Sequence, residues 1–344
     1  MNIYTFGASD DTRVEILWSL RPNNRDPMFA KYIKEANHIE TDLIESCDVA
    51  IYPYRAFDPE TLELDRGIYD AVEIARKYHK PLIIDATSDS DVAIDIPDAH
   101  ILRCGLYRSL QHSFETECPF WSNYRSKVNL DALAISPKPN KPTVGFCGTT
   151  ASIGKLSNMM KFFTPNLVAK NLLSKGKLAS KIDIRVREGM SLKLRETAIR
   201  LIASDKRLDS NFDLSNNYQS YYCKDENNRL VLEDLFVENT RKSDYILCVR
   251  GTGNYSGRFY MALNAGRIPV VLDTDIVIPF EEKLNLVKVP LHSLDRIGDI
   301  ILEHFENTPE RDFQCLKAQN RQAYYQFLTP EQFFPHFINT VVRN

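Results

Sequence analysis

The 344-residue sequence has no hydrophobic run of membrane-spanning length and no basic stretch followed by an apolar one at its start. We therefore expect neither a transmembrane segment nor a signal peptide. Its seven cysteines are odd in number and include no CxxC pair, so neither a disulfide framework nor a zinc site of that kind is indicated. Buried free thiols in a reducing compartment are expected, as in a cytoplasmic enzyme.

A strong excess of charge is also missing. The formal net charge of -3 offers no electrostatic case for binding nucleic acid or an acidic membrane surface.

The sequence lacks the HExxH motif of zinc proteases and the GxSxG turn of serine hydrolases. No early strand is followed by GxGxxG and an acid, which argues against a dinucleotide-dependent dehydrogenase.

Strand-like and helical runs alternate through most of the chain, which predicts parallel, doubly wound sheets in an α/β protein. The expected strands are Asn2–Phe6, Val49–Tyr52, Pro81–Asp85, His100–Leu102, Thr143–Cys147, Lys181–Val186, Tyr245–Val249, Ile268–Leu272 and Leu286–Val289. Three prolines in Ser136–Pro142 indicate a stiff linker. We therefore divide the chain into Rossmann-like domains at 1–138 and 139–293 and a helical, aromatic segment at 294–344. This last segment either returns to brace the first domain, as a terminal helix does in similar two-domain transferases, or caps the core of the second.

The most informative stretch joins a strand, a glycine loop and a helix. Gly251 and Gly253 follow the apolar run at 245–249, Ser256 is a plausible helix N-cap, and Gly266 a plausible helix stop. Free backbone N–H groups and the positive end of a helix dipole then point at whatever lies over the loop. This arrangement predicts a site for a phosphate or diphosphate.

Several side chains near this loop have residue types that bind anions. Arg258 lies two positions beyond the N-cap and is our first candidate for pairing with a diphosphate, and Arg250 flanks the loop on the other side. The further candidates for substrate binding are Gly148, Thr149, Arg187, Asn254 and Gly257. Each also has an ordinary structural interpretation: small residues serve turns, and arginines lie in surface ion pairs.

The same stretch resembles the exostosin family, glycosyltransferase family 47, and most of all its bacterial members. The matching pieces are Arg250-Gly251, Gly253-Asn254, Ser256, Arg258-Phe259-Tyr260, Gly266-Arg267-Ile268-Pro269-Val270, Ile278-Pro279-Phe280 and, more weakly, Lys141–Gly148. The resemblance covers residues from about 141 to 290. It implies two Rossmann-like domains facing a cleft, which is the GT-B architecture. It also implies that a sugar is transferred with inversion from a nucleotide-diphosphate donor to a hydroxyl of a glycan or glycolipid, and a UDP-sugar is the first candidate for the donor.

One position departs from the family pattern. Met261 stands where the family has an acidic residue, which in similar transferases holds the donor ribose. We expect Met261 to share with Arg258 a helix face turned toward the ligand. A catalytically degenerate nucleotide-sugar-binding or glycan-binding protein is therefore the alternative function.

Two further expectations concern catalysis. Asp89-Ser-Asp91 and Asp273-Thr-Asp275 mimic a manganese motif, but the helix terminus and arginines already supply positive charge, so we expect no metal and no cofactor beyond the donor. Inversion needs a base to take the acceptor proton. The candidates at the first domain's strand ends are Asp10, Asp11, Asp85 and Asp89, and Asp85 is the residue we choose.

Overall fold

The computed structural model describes residues 1–8, 14–19, 38–58, 63–90, 92–121, 129–152, 154–215 and 225–343. Contacts divide the chain into two compact units. The first unit comprises residues 1–106, 111–119 and 326–344, and the second comprises 107–110 and 120–325. These bounds differ from the sequence-based division, because residues 120–138 belong with the second unit and residues 326–344 return to the first.

The first unit is built on a parallel sheet of six described strands in the order β2-β1-β3-β4-β5-β6. The strands are β1 (Asn2–Tyr4), β2 (Ile39–Glu40), β3 (Val49–Tyr52), β4 (Leu82–Asp85), β5 (His100–Arg103) and β6 (Glu115–Glu117). Helix α1 (Gly67–Lys77) buries Ile68, Ala71, Val72 and Ala75. This spacing of three, four and seven residues gives the helix one apolar face, which covers β3 and β4.

The second unit has five described parallel strands in the order β11-β10-β9-β7-β8. They are β7 (Thr143–Thr149), β8 (Asp209–Ser215), β9 (Tyr245–Cys248), β10 (Ile268–Asp273) and β11 (Val287–Pro290). The helices are α2 (Lys155–Phe163), α3 (Asn166–Leu173), α4 (Gly176–Ala179), α5 (Ile184–Ser204), α6 (Glu226–Arg241), α7 (Gly257–Asn264), α8 (Ile297–Asn307) and α9 (Glu310–Ala323). The prediction of two Rossmann-like α/β domains is confirmed.

The strand order of the second sheet has a reversal between β7 and β9. From β7 the chain moves outward to β8, then crosses back to β9 and continues through β10 to β11 on the other side. In open parallel sheets, ligands bind beyond the carboxyl ends of the strands at such a reversal, because the flanking connections diverge there. The fold therefore points to the ends of β7 and β9 as the place for a site.

The C-terminal helix α10 (Pro330–Arg343) packs on the 3-10 helix Glu15–Ser19 and on β3, all in the first unit. Five of its large side chains are buried, namely Phe333, Phe334, Phe337, Ile338 and Val341. Helix α10 thus lies with the first unit, whereas residues 294–325 of the predicted bracing segment belong with the second. Among the described helices, none is long and apolar enough to cross a bilayer.

One predicted strand is wrong. Lys181–Val186 was expected to be extended, but helix α5 begins at Ile184. The Asp183 side chain accepts a hydrogen bond from the Arg185 backbone N–H, which caps the helix. On the side of β7 away from β9, the paired strand is instead the polar segment Asp209–Ser215.

Candidate functional site

Helix α7 begins where the loop after β9 ends, and Ser256 is its N-cap, as predicted. The expected capping hydrogen bond is absent, however: Ser256 is 7% exposed and its buried Oγ has no hydrogen-bond partner among the described residues. The first backbone N–H groups of any helix also have no partner within the helix. The start of α7 therefore presents unsatisfied donors.

Arg258 reaches from the first turn of α7 to the end of β7. Its Nε donates to the Cys147 carbonyl oxygen over 2.9 Å, and its Cζ lies 4.5 Å from the Phe146 ring centroid. Within the described residues, Nη1 and Nη2 donate to no partner and form no ion pair, although the side chain is partly buried. A fixed guanidinium with two uncommitted nitrogens is a ready contact for an anion.

Three glycines make room around this guanidinium and loop. A Cβ at Gly148 would overlap the Nη2 atom of Arg258, and a Cβ at Gly257 would lie 2.8 Å from the Phe120 ring. At Gly251 there is open space beside the Cα, and neither Gly251 nor Gly253 has positive φ. Gly148 and Gly257 therefore permit close packing, while Gly251 borders room for a ligand.

Arg250 and Asn254 hold the loop itself. Arg250 is 2% exposed, and it donates to the Tyr107 hydroxyl, to Asn254 Oδ1 and to the Thr252 carbonyl. Asn254 is 1% exposed and also accepts from the Thr274 hydroxyl after β10. The sequence placed both residues at the ligand, whereas here their side chains shape the loop.

Two contacts that support the candidate site escaped the sequence analysis. Arg195 on α5 donates to the carbonyl oxygens of Thr149 and Arg250, and so joins the ends of β7 and β9. Tyr107 supports Arg250 although it follows β5 in the chain. A buried arginine in a helix gives a weak signal, and nothing local marks Tyr107. The Thr149 hydroxyl donates to the Ala151 carbonyl oxygen and accepts from the Ala151 backbone N–H, so its hydrogen bonds stabilise the turn after β7.

Arg187 and Met261 lie in different surroundings from those expected. Arg187 is fully buried on α5, not on a strand, and donates to the Ala179 and Ile182 carbonyls. Met261 is 3% exposed and packs in an apolar cluster with Leu130, Leu133, Phe236, Val237 and Ala265. The thioether of Met261 therefore fills a core rather than facing a ligand.

The Asp273-Thr-Asp275 triplet is engaged by protein donors. Asp273 Oδ1 accepts from Arg108 Nη2 over 3.0 Å, and Asp275 Oδ2 accepts from Ser109 and from the Gly176 backbone N–H. Asp91 of the other triplet lies outside the described residues. No group of three or more metal-binding side chains is found in the part of the chain that the structure describes.

In the first unit, Asp85 lies at the end of β4 and is buried. Its Oδ2 accepts from the Ile16 N–H, and its Oδ1 accepts from the Thr87 N–H and hydroxyl. Burial raises the pKa of Asp85. The pKa of Glu15 is raised to about 8, first by burial and then by repulsion from Asp85. Asp89 is exposed, and Asp10 and Asp11 lie outside the described residues.

No protein-family model matches the chain, and no curated protein matches its sequence. Several solved structures resemble it distantly. They include TarM (11% identity, 92% of this chain, TM-score 0.35), the spinosyn rhamnosyltransferase SpnG with spinosyn aglycone (11%, 98%, 0.38) and the lipopolysaccharide outer core galactosyltransferase WaaB (12%, 99%, 0.41). The match spans 52% of TarM and all of the other two. Identities and TM-scores this low assign no reaction, donor or acceptor to this chain.

Proposed function

We propose that this protein is a glycosyltransferase that binds the diphosphate of a nucleotide-sugar donor at Arg258 and the start of α7. The observation that carries the proposal is the Arg258 guanidinium. It is held at the end of β7 by the Cys147 carbonyl and Phe146, with Nη1 and Nη2 uncommitted among the described residues. It lies at the reversal in strand order, where α/β sheets place ligands.

The chemistry of the site suits a departing diphosphate. Negative charge develops on the leaving group during sugar transfer, and donors already fixed in place stabilise that charge without reorganising. Arg258 supplies a full positive charge, and the N-terminus of α7 supplies a partial one with its free N–H groups. The unpartnered Ser256 Oγ adds a hydroxyl donor at the same helix end.

The finer parts of the proposal follow the sequence resemblance. The donor is a UDP-sugar, the anomeric carbon is inverted as in exostosin-like enzymes, and the acceptor is a hydroxyl of a glycan or glycolipid in polysaccharide biosynthesis. The reaction takes place in the cytoplasm. It needs no metal ion, because Arg258 and the N-terminus of α7 supply the positive charge that a cation would provide. The partner molecules are thus the nucleotide-sugar and a glycan or lipid-linked glycan.

For the acceptor base we propose Glu15 in place of Asp85. Both oxygens of Asp85 accept hydrogen bonds from protein donors, and the bond from the Ile16 N–H holds the start of the 3-10 helix that carries Glu15. Glu15 follows β1, where the strand order of the first sheet reverses between β1 and β3. A carboxyl group whose pKa is about 8 is matched to proton transfer near neutral pH.

The proposal is tested by titrating UDP into wild type and Arg258→Ala in a calorimeter. Loss of a charge-assisted contact is expected to weaken binding by about 1.5–3 kcal/mol. Arg258→Lys keeps the charge without the forked geometry, so it should bind with intermediate affinity. The matched control is Arg185→Ala, which removes an exposed arginine paired with Asp183. Equal UDP affinity in wild type and a folded Arg258→Ala protein would reject the site.

Turnover distinguishes the enzyme from a nucleotide-sugar-binding protein. An enzyme releases free UDP from a UDP-sugar when acceptor is present, and release should continue in excess EDTA. A binding protein would show the Arg258-dependent affinity with no release. Release that stops in EDTA and resumes with manganese would instead reject the metal-free mechanism.

A further inference from the structure

The helices that follow β7 carry a surface that the proposed transferase site does not use. Five apolar side chains of α2 and α3 are exposed, namely Met159, Phe162, Phe163, Leu167 and Val168. Phe162 is 78% exposed, Phe163 71% and Leu167 66%. Large aromatic side chains are rarely left in water when a core could take them.

These side chains share a common support. Met159, Phe162 and Phe163 are spaced by three and four residues, so they lie on one face of α2. Both α2 and α3 pack against α5 through their other faces. The Phe162 and Phe163 rings meet edge to face, with centroids 5.1 Å apart. The apolar side chains therefore project outward from two consecutive helices fixed on one rigid element.

The same segment is strongly basic. Residues 155–181 contain six lysines and no acidic residue. Lys161 pairs with Glu196 and Lys170 with Asp295. Lys155, Lys175, Lys177 and Lys181 are exposed and form no ion pair with any described residue. A chain with net charge -3 thus concentrates lysines in the same segment that carries its exposed phenylalanines.

We propose that α2, α3 and α4 form a docking surface for an anionic lipid bilayer, and we call it the basic aromatic patch. Exposed apolar side chains enter the interfacial region while lysines contact acidic headgroups, which is how peripheral helices bind membranes. A second copy of the chain fits less well, because an isologous contact would bring the two sets of lysines together. The inference is independent of the proposed transferase activity.

The test is co-sedimentation of the full chain with vesicles. Wild type should bind vesicles of equimolar phosphatidylcholine and phosphatidylglycerol, and bind poorly to vesicles of phosphatidylcholine alone. High ionic strength should release the bound protein. Phe162→Ser combined with Phe163→Ser should abolish most of the binding. Lys175→Gln, Lys177→Gln and Lys181→Gln should each weaken it about fivefold.

Matched controls change the same chemistry elsewhere on the second unit. Val231→Ser with Leu235→Ser removes exposed apolar side chains from α6, and Lys206→Gln with Lys283→Gln removes exposed lysines outside the patch. Both should bind vesicles like wild type. The proposal is overturned if wild type shows no preference for anionic vesicles, or if the controls lose as much binding as the patch variants. It is also overturned if wild type does not bind vesicles but forms a dimer, and if that dimer is lost only in the patch variants.

Discussion

At the scale of single residues, Met261 has surroundings that the sequence pattern did not suggest. In the resembling enzymes this position is acidic, and the helix spacing from Arg258 suggested a common face. In the structure the side chain belongs to an apolar cluster with Phe236 and Leu130. The residue is thus a packing element of the second unit, and its replacement is primarily a question of stability.

We predict that Met261→Glu destabilises the protein and does not tighten nucleotide binding. A carboxyl group placed among apolar side chains loses its hydration without gaining a partner, at a cost of several kcal/mol. Met261→Leu conserves volume, and its cost should stay below about 1.5 kcal/mol. Urea unfolding and UDP titration of the two variants provide the measurement. A stable Met261→Glu protein with higher UDP affinity would show that this position faces the donor after all.

Glu15 gives a prediction on pH. If its carboxylate takes the acceptor proton, kcat/KM should rise with pH and level off above about 8, the pKa of this group. Glu15→Gln should remove turnover and leave UDP affinity unchanged. A flat pH profile in wild type would exclude Glu15 as the base.

The raised pKa of Glu15 also makes the unfolding free energy depend on pH. The raised pKa means that folded Glu15 holds a proton that the unfolded chain releases, so the unfolding free energy should fall as pH rises from 4.5 to about 8. Glu15→Gln should flatten that dependence. This readout needs no substrate, so it can be measured even if the acceptor is unknown.

At the scale of elements, the site is a junction between β7 and α7. Arg258 bridges the two, and it can do so only because position 148 lacks a side chain. Arg195 fixes the neighbouring strand ends from α5. The site is thus held by residues from three elements that are distant in sequence.

We predict that Gly148→Ala weakens UDP binding by displacing the Arg258 guanidinium. The added methyl group would overlap Nη2, and a shifted guanidinium loses its alignment with an anion. Gly251→Ala is the control for stability, because its methyl group would meet open space. Thermal unfolding and UDP titration of both variants check the prediction. Wild-type UDP affinity in Gly148→Ala would mean that the guanidinium position does not matter.

Strands that consist of apolar runs were predictable from the sequence, and short or polar strands were not. The runs at β3, β4, β9 and β10 were found because these strands lie inside their sheets and read as continuous apolar segments. The three strands that were missed, β2, β6 and β8, all lie at sheet edges. None of the three has an apolar run: β2 has two residues, and β6 and β8 are mostly polar, although Glu115 and Glu117 of β6 are buried. The edge strand β11 was found because it is mostly apolar.

The site was predictable to a smaller extent. The loop and helix start were recognised because glycine, serine and arginine occur there at short, fixed spacing. The partners of Arg258 lie more than one hundred residues upstream, at Phe146 to Gly148. Arg250 looked like a ligand contact because its residue type suits phosphate, and only its hydrogen bonds to Thr252, Asn254 and Tyr107 show that it shapes the loop.

At the scale of the whole molecule, charge is distributed unevenly. The net charge of -3 argued against an acidic membrane surface, yet residues 155–181 alone carry six lysines without an acid. A sum over the chain conceals such a segment. The local distribution is the relevant quantity, because screening limits electrostatic attraction to about 8–10 Å at physiological salt.

We predict that ending the chain after Tyr325 unfolds the first unit and preserves the second. The truncation removes Phe333, Phe334, Phe337, Ile338 and Val341 from the first unit. Burial of each such side chain contributes about 1.5–3 kcal/mol, so their sum is comparable to the stability of a whole domain. Limited proteolysis should then cleave residues before 106 rapidly, while UDP affinity persists. A chain ending after Val341 is the control, and equal protease resistance of the two would contradict the prediction.

The return of α10 to the first unit has a consequence for synthesis on the ribosome. Residues 1–106 leave the ribosome before residues 326–343, which supply part of the apolar surface that the first unit buries. The segment 120–325 is continuous, so it can complete its own core while translation is still in progress. We therefore expect residues 1–106 of the nascent chain to stay partly open and available to chaperones until α10 has left the ribosome.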